Sequence, residues 1–236
     1  MVHGRINEIL KILDFKSFNI NPKTKFKGIT IDSRNAKRKN IFIGIRGENF
    51  DGNLFAPNAV KNGAVCAITD KPYPGIPHIL VKDTLKALQD IAKWWRKKIK
   101  AKVIAITGSN GKTTTKDMLF EFLKTKFKVI KSPLSFNNHI GVPLTIFEAD
   151  ENTDFIIQEM EMNEIGGIKN LCEISKPSFG IITNIGRTHL QFLKNERNVF
   201  LEKKELVDYL SKHHGIISVN ADDKYLKKLE RRKNII

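Results

Sequence analysis

The sequence predicts an α/β protein, with a small mixed α/β domain over residues 1–99 and a parallel-sheet domain over residues 100–236. Three observations carry this prediction. From Lys102 onward five short apolar runs (VIAIT, KVI, FIIQEM, FGIIT and GIISV) alternate with segments of helical character, the rhythm of a parallel sheet covered by helices. Before that point short apolar runs and helical patterns are interleaved without such a repeat. Finally, residues capable of chemistry follow directly on the apolar runs of the second section, where loops leave the carboxyl ends of parallel strands.

In chain order, Ile6, Ile9, Leu10 and Leu13 share one helical face. GITI and IFIGI read as strands, and a helix begins near Phe55 that Gly63 can end. AVCAIT is the next strand, KPYPGIP a turn-rich loop, and HILV a further strand. Asp83 can cap a helix carrying Leu85, Leu88, Ile91, Ala92, Trp95 and Ile99. Trp94 and Trp95 read as packing residues rather than a platform for stacked bases.

A length of 236 residues holds one large or two small domains, and 41% hydrophobic with 28% charged residues is a globular balance, not a disordered one. No apolar run approaches a membrane span, and MVHGRINEIL lacks the apolar core of a signal peptide, so the expectation is a cytoplasmic protein without membrane insertion. Cys66 and Cys172 sit in AVCAI and NLCEI and read as small buried hydrophobes; two cysteines build neither a disulfide framework nor a CxxC zinc site. The net charge is +16, of which residues 1–100 contribute +12. Such a front half could meet nucleic acid, an acidic surface or an anionic small substrate. The lysines are scattered with few aromatics among them, which favours a solvated surface over a nucleic-acid interface.

The strongest local signal is ITGSNGKTTT, which reads as a phosphate-binding loop between a strand and a helix. Its glycines let backbone N–H groups turn toward phosphate oxygens, and the helix start adds its positive dipole end. Gly108, Ser109, Asn110, Gly111, Lys112, Thr113 and Thr114 are the candidate nucleotide-binding residues, with Lys112 reaching the β- and γ-phosphates and Thr113 holding Mg²⁺. The strict loop pattern is broken at one place, where Ile106 occupies the first glycine position.

Glu159 ends an apolar strand, where an unpaired carboxylate is costly. It is a candidate metal ligand; a salt bridge to a neighbouring lysine is the plainer reading, and Glu161 competes for the metal role. His189, after the fourth strand of this section, is a second metal-site candidate. Lys203 falls on an amphipathic helix with Leu201, Leu206, Val207 and Leu210, and composition alone makes it a solvated lysine.

ITGSNGKTTTKDM, SFNNHIGVPLTI, EMEMNEIGGI, ITNIGRTHL and EKKEL, in this order and spacing, resemble the Mur ligases of peptidoglycan synthesis. FNNHIGVPLT together with GENFDG points to the branch of the family that adds D-alanyl-D-alanine to UDP-N-acetylmuramoyl-tripeptide, and TIDSRNAKRKNIFIGIRGENFDGNLFAPNAVKNGA is similar to its substrate-binding domain. The resemblance implies an ATP- and Mg²⁺-dependent ligase working through an acyl phosphate, with Lys112, His189 and Lys203 catalytic and Thr113, Glu159 and His189 serving the metal. It implies that Ser33, Arg34, Arg46, Gly47 and the loop to Asp51 bind the UDP-sugar, and that Asn137 and Asn138 line the substrate–metal side of the cleft. Lys203 matches a lysine that many members carry as a carbamate, with Lys204 its rival in register.

Two departures stand near the metal segment: Glu161 occupies a position that is usually glycine in the family, and Gly167 one that is commonly glutamate. The family also continues beyond the equivalent of SVNADD, through the rest of the ATPase domain and into a third domain. The resemblance therefore implies that these 236 residues correspond to the front and ATPase portions and do not complete the ligation alone.

Overall fold

The computed structural model describes every residue except Glu48, Asn49, Ser135, Glu230 and Arg231, and the side chain of Leu190. Ser135 and the Glu48–Asn49 part of the Arg46-to-Asp51 loop thus lie outside the described residues. Two compact units divide the chain, Met1–Lys97 and Lys98–Ile236.

The first unit runs β1 (His3–Arg5), α1 (Ile6–Leu10), β2 (Phe15–Phe18), β3 (Lys25–Lys27), β4 (Ile29–Thr30), β5 (Ile41–Ile43), α2 (Ala56–Lys61), β6 (Cys66–Thr69), β7 (His78–Val81) and α3 (Thr84–Lys98). Strands β2-β7-β6-β5-β4 form one sheet, antiparallel only between β2 and β7, while β1 and β3 form an antiparallel pair. β1, β2 and β3 are strands that the sequence reading did not anticipate. Segments such as FKSF and KFK are largely exposed, so no apolar run marks them.

Gly63 (φ +117°) follows the end of α2, and the Asp83 carboxylate accepts from the Lys86 amide at 2.9 Å to cap α3. Helix α1 stops at Leu10, leaving Leu13 to reach the core from the turn beyond it. Trp95 is buried with its ring edge-on to His3, and Trp94 packs near Phe26, so both tryptophans are packing residues.

The second unit runs β8 (Lys102–Thr107), α4 (Lys112–Leu123), β9 (Val129–Lys131), α5 (Gly141–Glu148), β10 (Phe155–Glu159), α6 (Gly167–Ser175), β11 (Phe179–Ile182), α7 (Leu190–Leu193), α8 (Glu196–Lys212) and β12 (Ile216–Val219). All five strands are parallel, in the order β12-β11-β8-β10-β9. The β-branched run of β8 is buried from Val103 to Thr107, as a central strand covered on both faces must be. Ile104, Ile106 and Ile157 pack with Leu119, Phe120 and Leu123 of α4.

Strand order positions the chemistry. The chain leaves β8 for the edge at β9, returns to β10 beside β8, then crosses to β11 on the other side. The loop after β8 therefore lies where the order reverses, the place where open α/β sheets bind ligands. Register places Glu159 beside Ile106 and Ile182 beside Thr107, bringing the ends of three strands to the loop at Gly108.

Helix α8 buries Val199, Glu202, Lys203, Leu206, Val207 and Leu210, spaced as one helical face, whereas Leu201 is 38% exposed. This corrects the reading of Lys203 as solvated and of Leu201 as part of the apolar face. Cys66 and Cys172 are both buried free thiols; burial pushes Cys66 up to about 12 and raises Cys172 as well. Among the described residues no helix is long and apolar enough to cross a membrane.

Candidate functional site

Strand β8 passes directly into Gly108 (φ +143°), and Gly111 (φ +82°) turns the chain into Lys112, the first residue of α4. Both values lie in the left-handed region that favours glycine. At Gly108 there is a second reason: the hydroxyl of Thr183, just past β11, occupies the space that a β-carbon would take. The Thr183 hydroxyl donates to the Asn110 carbonyl at 2.6 Å. Asn184 accepts from the Ser109 amide through its backbone carbonyl and from the Asn110 amide through its side chain, each at 3.0 Å. The Ser109 hydroxyl accepts from the Gly186 amide at 2.7 Å and meets the Thr188 hydroxyl at 3.2 Å. The loop after β11 thus fixes the shape of the loop after β8.

Lys112 is 8% exposed, and its ammonium donates to the carbonyls of Gly108 (2.8 Å) and Ser109 (3.3 Å) and to the Glu161 carboxylate (3.0 Å). One turn along α4, Lys116 is buried and donates to Glu159 (3.2 Å) and to the Leu134 carbonyl (3.0 Å). The Thr113 hydroxyl donates to the same Glu159 oxygen at 2.9 Å. Asn137 bridges the two carboxylates, at 3.1 Å to Glu159 and 3.3 Å to Glu161, and His189 Nε2 donates to Glu161 at 3.0 Å. Lys112, Thr113, Glu159, His189 and Asn137 therefore belong to one network centred on Glu159 and Glu161.

Burial works against ionising Glu161, but the His189 hydrogen bond and the Lys112 charge outweigh it, so its carboxyl titrates below the usual glutamate range. Lys203 also contributes to lowering it. Lys203 itself is fully buried and paired at 3.0 Å with Glu202, whose other carboxylate oxygen has no hydrogen-bond partner among the described residues. Burial raises the Glu202 carboxyl, and the Lys203 charge offsets this only in part. The rival Lys204 pairs with Asp208 at the surface.

Other predicted positions have local roles. Asn138 caps α5 by accepting from the amides of Ile140 and Gly141, each at 3.0 Å, and Thr114 is exposed in the first turn of α4. In the first unit, Ser33 is buried and its carbonyl accepts from Asn62, while Arg34 pairs with Asp32 at 2.8 Å. Arg46 pairs with Asp70 at 3.0 Å and lies 3.8 Å from Asp51, and the Gly47 amide donates to the Phe50 carbonyl. Helix α2 packs against both the turn of Ser33–Asn35 and that of Gly52–Phe55.

Sequence reasoning missed Lys116 and Glu202. Lys116 could have been found at i+4 from Lys112, on the same helical face. Glu202 carried no such signal, because adjacent charges on a surface helix look alike whether or not they face inward.

The donor chemistry around Thr113 and Glu159 fits magnesium: one hydroxyl and one carboxylate are hard oxygen ligands, and this ion commonly takes one or two protein carboxylates with phosphate and water completing its shell. His189 is directed at Glu161 instead. Among the described residues no group of three or more His, Cys, Asp or Glu could hold a metal ion by itself.

The family profile of the Mur ligase middle domain matches residues 106–235, and that of the Mur ligase family catalytic domain matches residues 25–96. The chain belongs to the Mur ligase family. Its relatives include a UDP-N-acetylmuramoyl-tripeptide--D-alanyl-D-alanine ligase of Bacillus subtilis, 38% identical over 209 residues (87% of this chain, 46% of the relative), and one of Synechocystis, 35% identical over 240 residues (96% and 53%). The structure superposes on MurF from Acinetobacter baumannii with a TM-score of 0.89 at 28% identity, covering 100% of this chain and 52% of the other. MurF from Thermotoga maritima in complex with ADP gives 0.81 at 29% identity (89% and 49%). This Mur ligase chain thus spans about half the length of the relatives it matches.

Proposed function

We propose that this chain is the UDP-sugar-binding and ATP-phosphate-binding portion of a ligase that joins D-alanyl-D-alanine to UDP-N-acetylmuramoyl-tripeptide. The observation that carries the reading is the convergence of Lys112, Thr113, Glu159 and His189 at the loop after β8, together with the names of the relatives.

In this reading the γ-phosphoryl group of ATP passes to the terminal carboxylate of the tripeptide, releasing ADP. The free amine of the dipeptide attacks the acyl phosphate, and the tetrahedral intermediate collapses to the amide and inorganic phosphate. Gly108–Thr113 orient the phosphates and Lys112 neutralises their charge as it moves between oxygens. Thr113 and Glu159 would hold magnesium with the phosphates, His189 acting from its edge; the ion supplies charge neutralisation at the transferring phosphate. Lys203, fully buried and paired with Glu202, supports Glu161 electrostatically. Ser33, Arg34, Arg46 and Gly47 of the first unit, with Asn137 and Asn138 of the second, are the proposed substrate contacts, giving part of the basic front half a use.

Calorimetric titration of the chain with ADP and with UDP-N-acetylmuramoyl-tripeptide, followed by phosphate release on adding Mg·ATP and D-alanyl-D-alanine, tests the reading. Saturable binding of both ligands is expected; binding of neither would end it.

A further inference from the structure

Lys112 has three N–H donors, and all three are committed, to the carbonyls of Gly108 and Ser109 and to the Glu161 carboxylate. Two of these acceptors belong to the loop itself and hold the side chain in place. The third is the partner that a phosphate must replace if Lys112 is to bind it. Glu161 is itself gripped from three sides, by Lys112 and His189 on one oxygen and by Asn137 on the other. An ionised carboxylate among those donors occupies the kind of environment that an anionic oxygen of a ligand would use.

We propose that Glu161 sets the nucleotide preference of this loop, standing on Lys112 and His189 in place of a terminal phosphate, so that the chain holds a nucleoside diphosphate more tightly than the triphosphate. The inference rests on reading Gly108–Thr113 as a phosphate loop. A triphosphate must break the Glu161–Lys112 ion pair and then sit near the displaced carboxylate, with Glu159 also close by through Asn137. Repulsion between these like charges falls on the terminal phosphate because that group carries the charge nearest to them. A diphosphate can dock on the glycine-rich turn and the start of α4 while leaving the Glu161 pair intact.

The test is calorimetric binding of ADP, ATP and a non-hydrolysable ATP analogue to the 236-residue chain, each with magnesium and again with excess chelator. The wild-type chain is expected to bind ADP about tenfold more tightly than the triphosphates. Glu161→Gln and Glu161→Gly should each raise triphosphate affinity about tenfold while moving ADP affinity less than about twofold. Circular dichroism establishes that each variant is folded; the two variants perturb the loop differently, so agreement between them isolates the charge. An unchanged preference in both, or weaker triphosphate binding as expected of a lost metal ligand, overturns the proposal. Lys112→Ala separates this from the reading beneath it, because it releases the Gly108 and Ser109 carbonyls that shape the loop for either nucleotide. If that variant loses both nucleotides while the Glu161 variants change nothing, the phosphate loop stands and the inference falls; unaltered ADP binding in Lys112→Ala removes both.

Discussion

Lys203 and Glu202 meet at 3.0 Å with neither side chain exposed to solvent, neighbours in sequence on α8 that both turn toward the interior. Removing one partner strands the other as a buried charge. Lys203→Met should therefore lower unfolding free energy by about 3–5 kcal/mol, with Glu202→Gln in the same chain restoring much of the loss. Lys204→Ala, which removes only a surface pair with Asp208, should cost less than about 0.5 kcal/mol. Urea denaturation of the three variants checks this, and equal losses for Lys203→Met and Lys204→Ala would refute the burial of the pair.

Lys112→Ala should weaken ADP binding about tenfold, because the Gly108 and Ser109 carbonyls lose the donor that holds the loop in its phosphate-binding shape. The fold should survive, because Glu161 keeps His189 and Asn137 as partners. Calorimetry reads the affinity and thermal melting reads the fold.

Gly108→Ala should destabilise the second unit by about 1–3 kcal/mol, since alanine would carry a φ of +143° and collide with the Thr183 hydroxyl. Thr183→Ala in the same chain removes the collision but not the backbone strain. The double variant should recover part of the loss, so the thermodynamic cycle yields a favourable coupling. Strict additivity would show that the two positions do not meet.

Asp51 is held down to about 2 by hydrogen bonds from Lys71 and Asn53, and Asp150 to about 2 chiefly by Lys128. Because these folded-state values lie below the usual 3.8, both contributions are complete above that value and are lost as pH falls from it toward 2. Both pairs are solvent-accessible, so each contributes on the order of 1 kcal/mol or less after screening. Asp51→Asn should flatten the stability profile between about pH 4 and pH 2 without altering its shape near neutrality. Acid titration of unfolding free energy distinguishes the variant from the parent.

The five runs from VIAIT to GIISV all became strands of the second sheet, because a parallel strand buried on both faces must be continuously apolar. The strands of the first unit that escaped notice are the exposed ones, where lysine interrupts phenylalanine in FKSF and KFK. In the network around the loop, Lys112 and Thr113 were legible from local spacing. Glu159 was legible only as a buried carboxylate in need of a partner. That two of its partners are Thr113 and Lys116, on the helix that follows β8, results from β10 lying beside β8.

Local order along the chain was enough to establish the strand runs, the glycine turns at Gly108 and Gly111, and the lysine that opens α4, because backbone conformation and burial pattern depend on near neighbours. Which charges meet was decided by strand order and helix rotation. Those turned Lys203 inward against Glu202, placed Glu161 on Lys112 and His189, and packed Thr183 against Gly108. Lys203 and Glu202 are neighbours whose shared inward rotation is set by packing, whereas the other partners lie on segments dozens of residues apart and act through space, so no periodicity within either segment encodes the other.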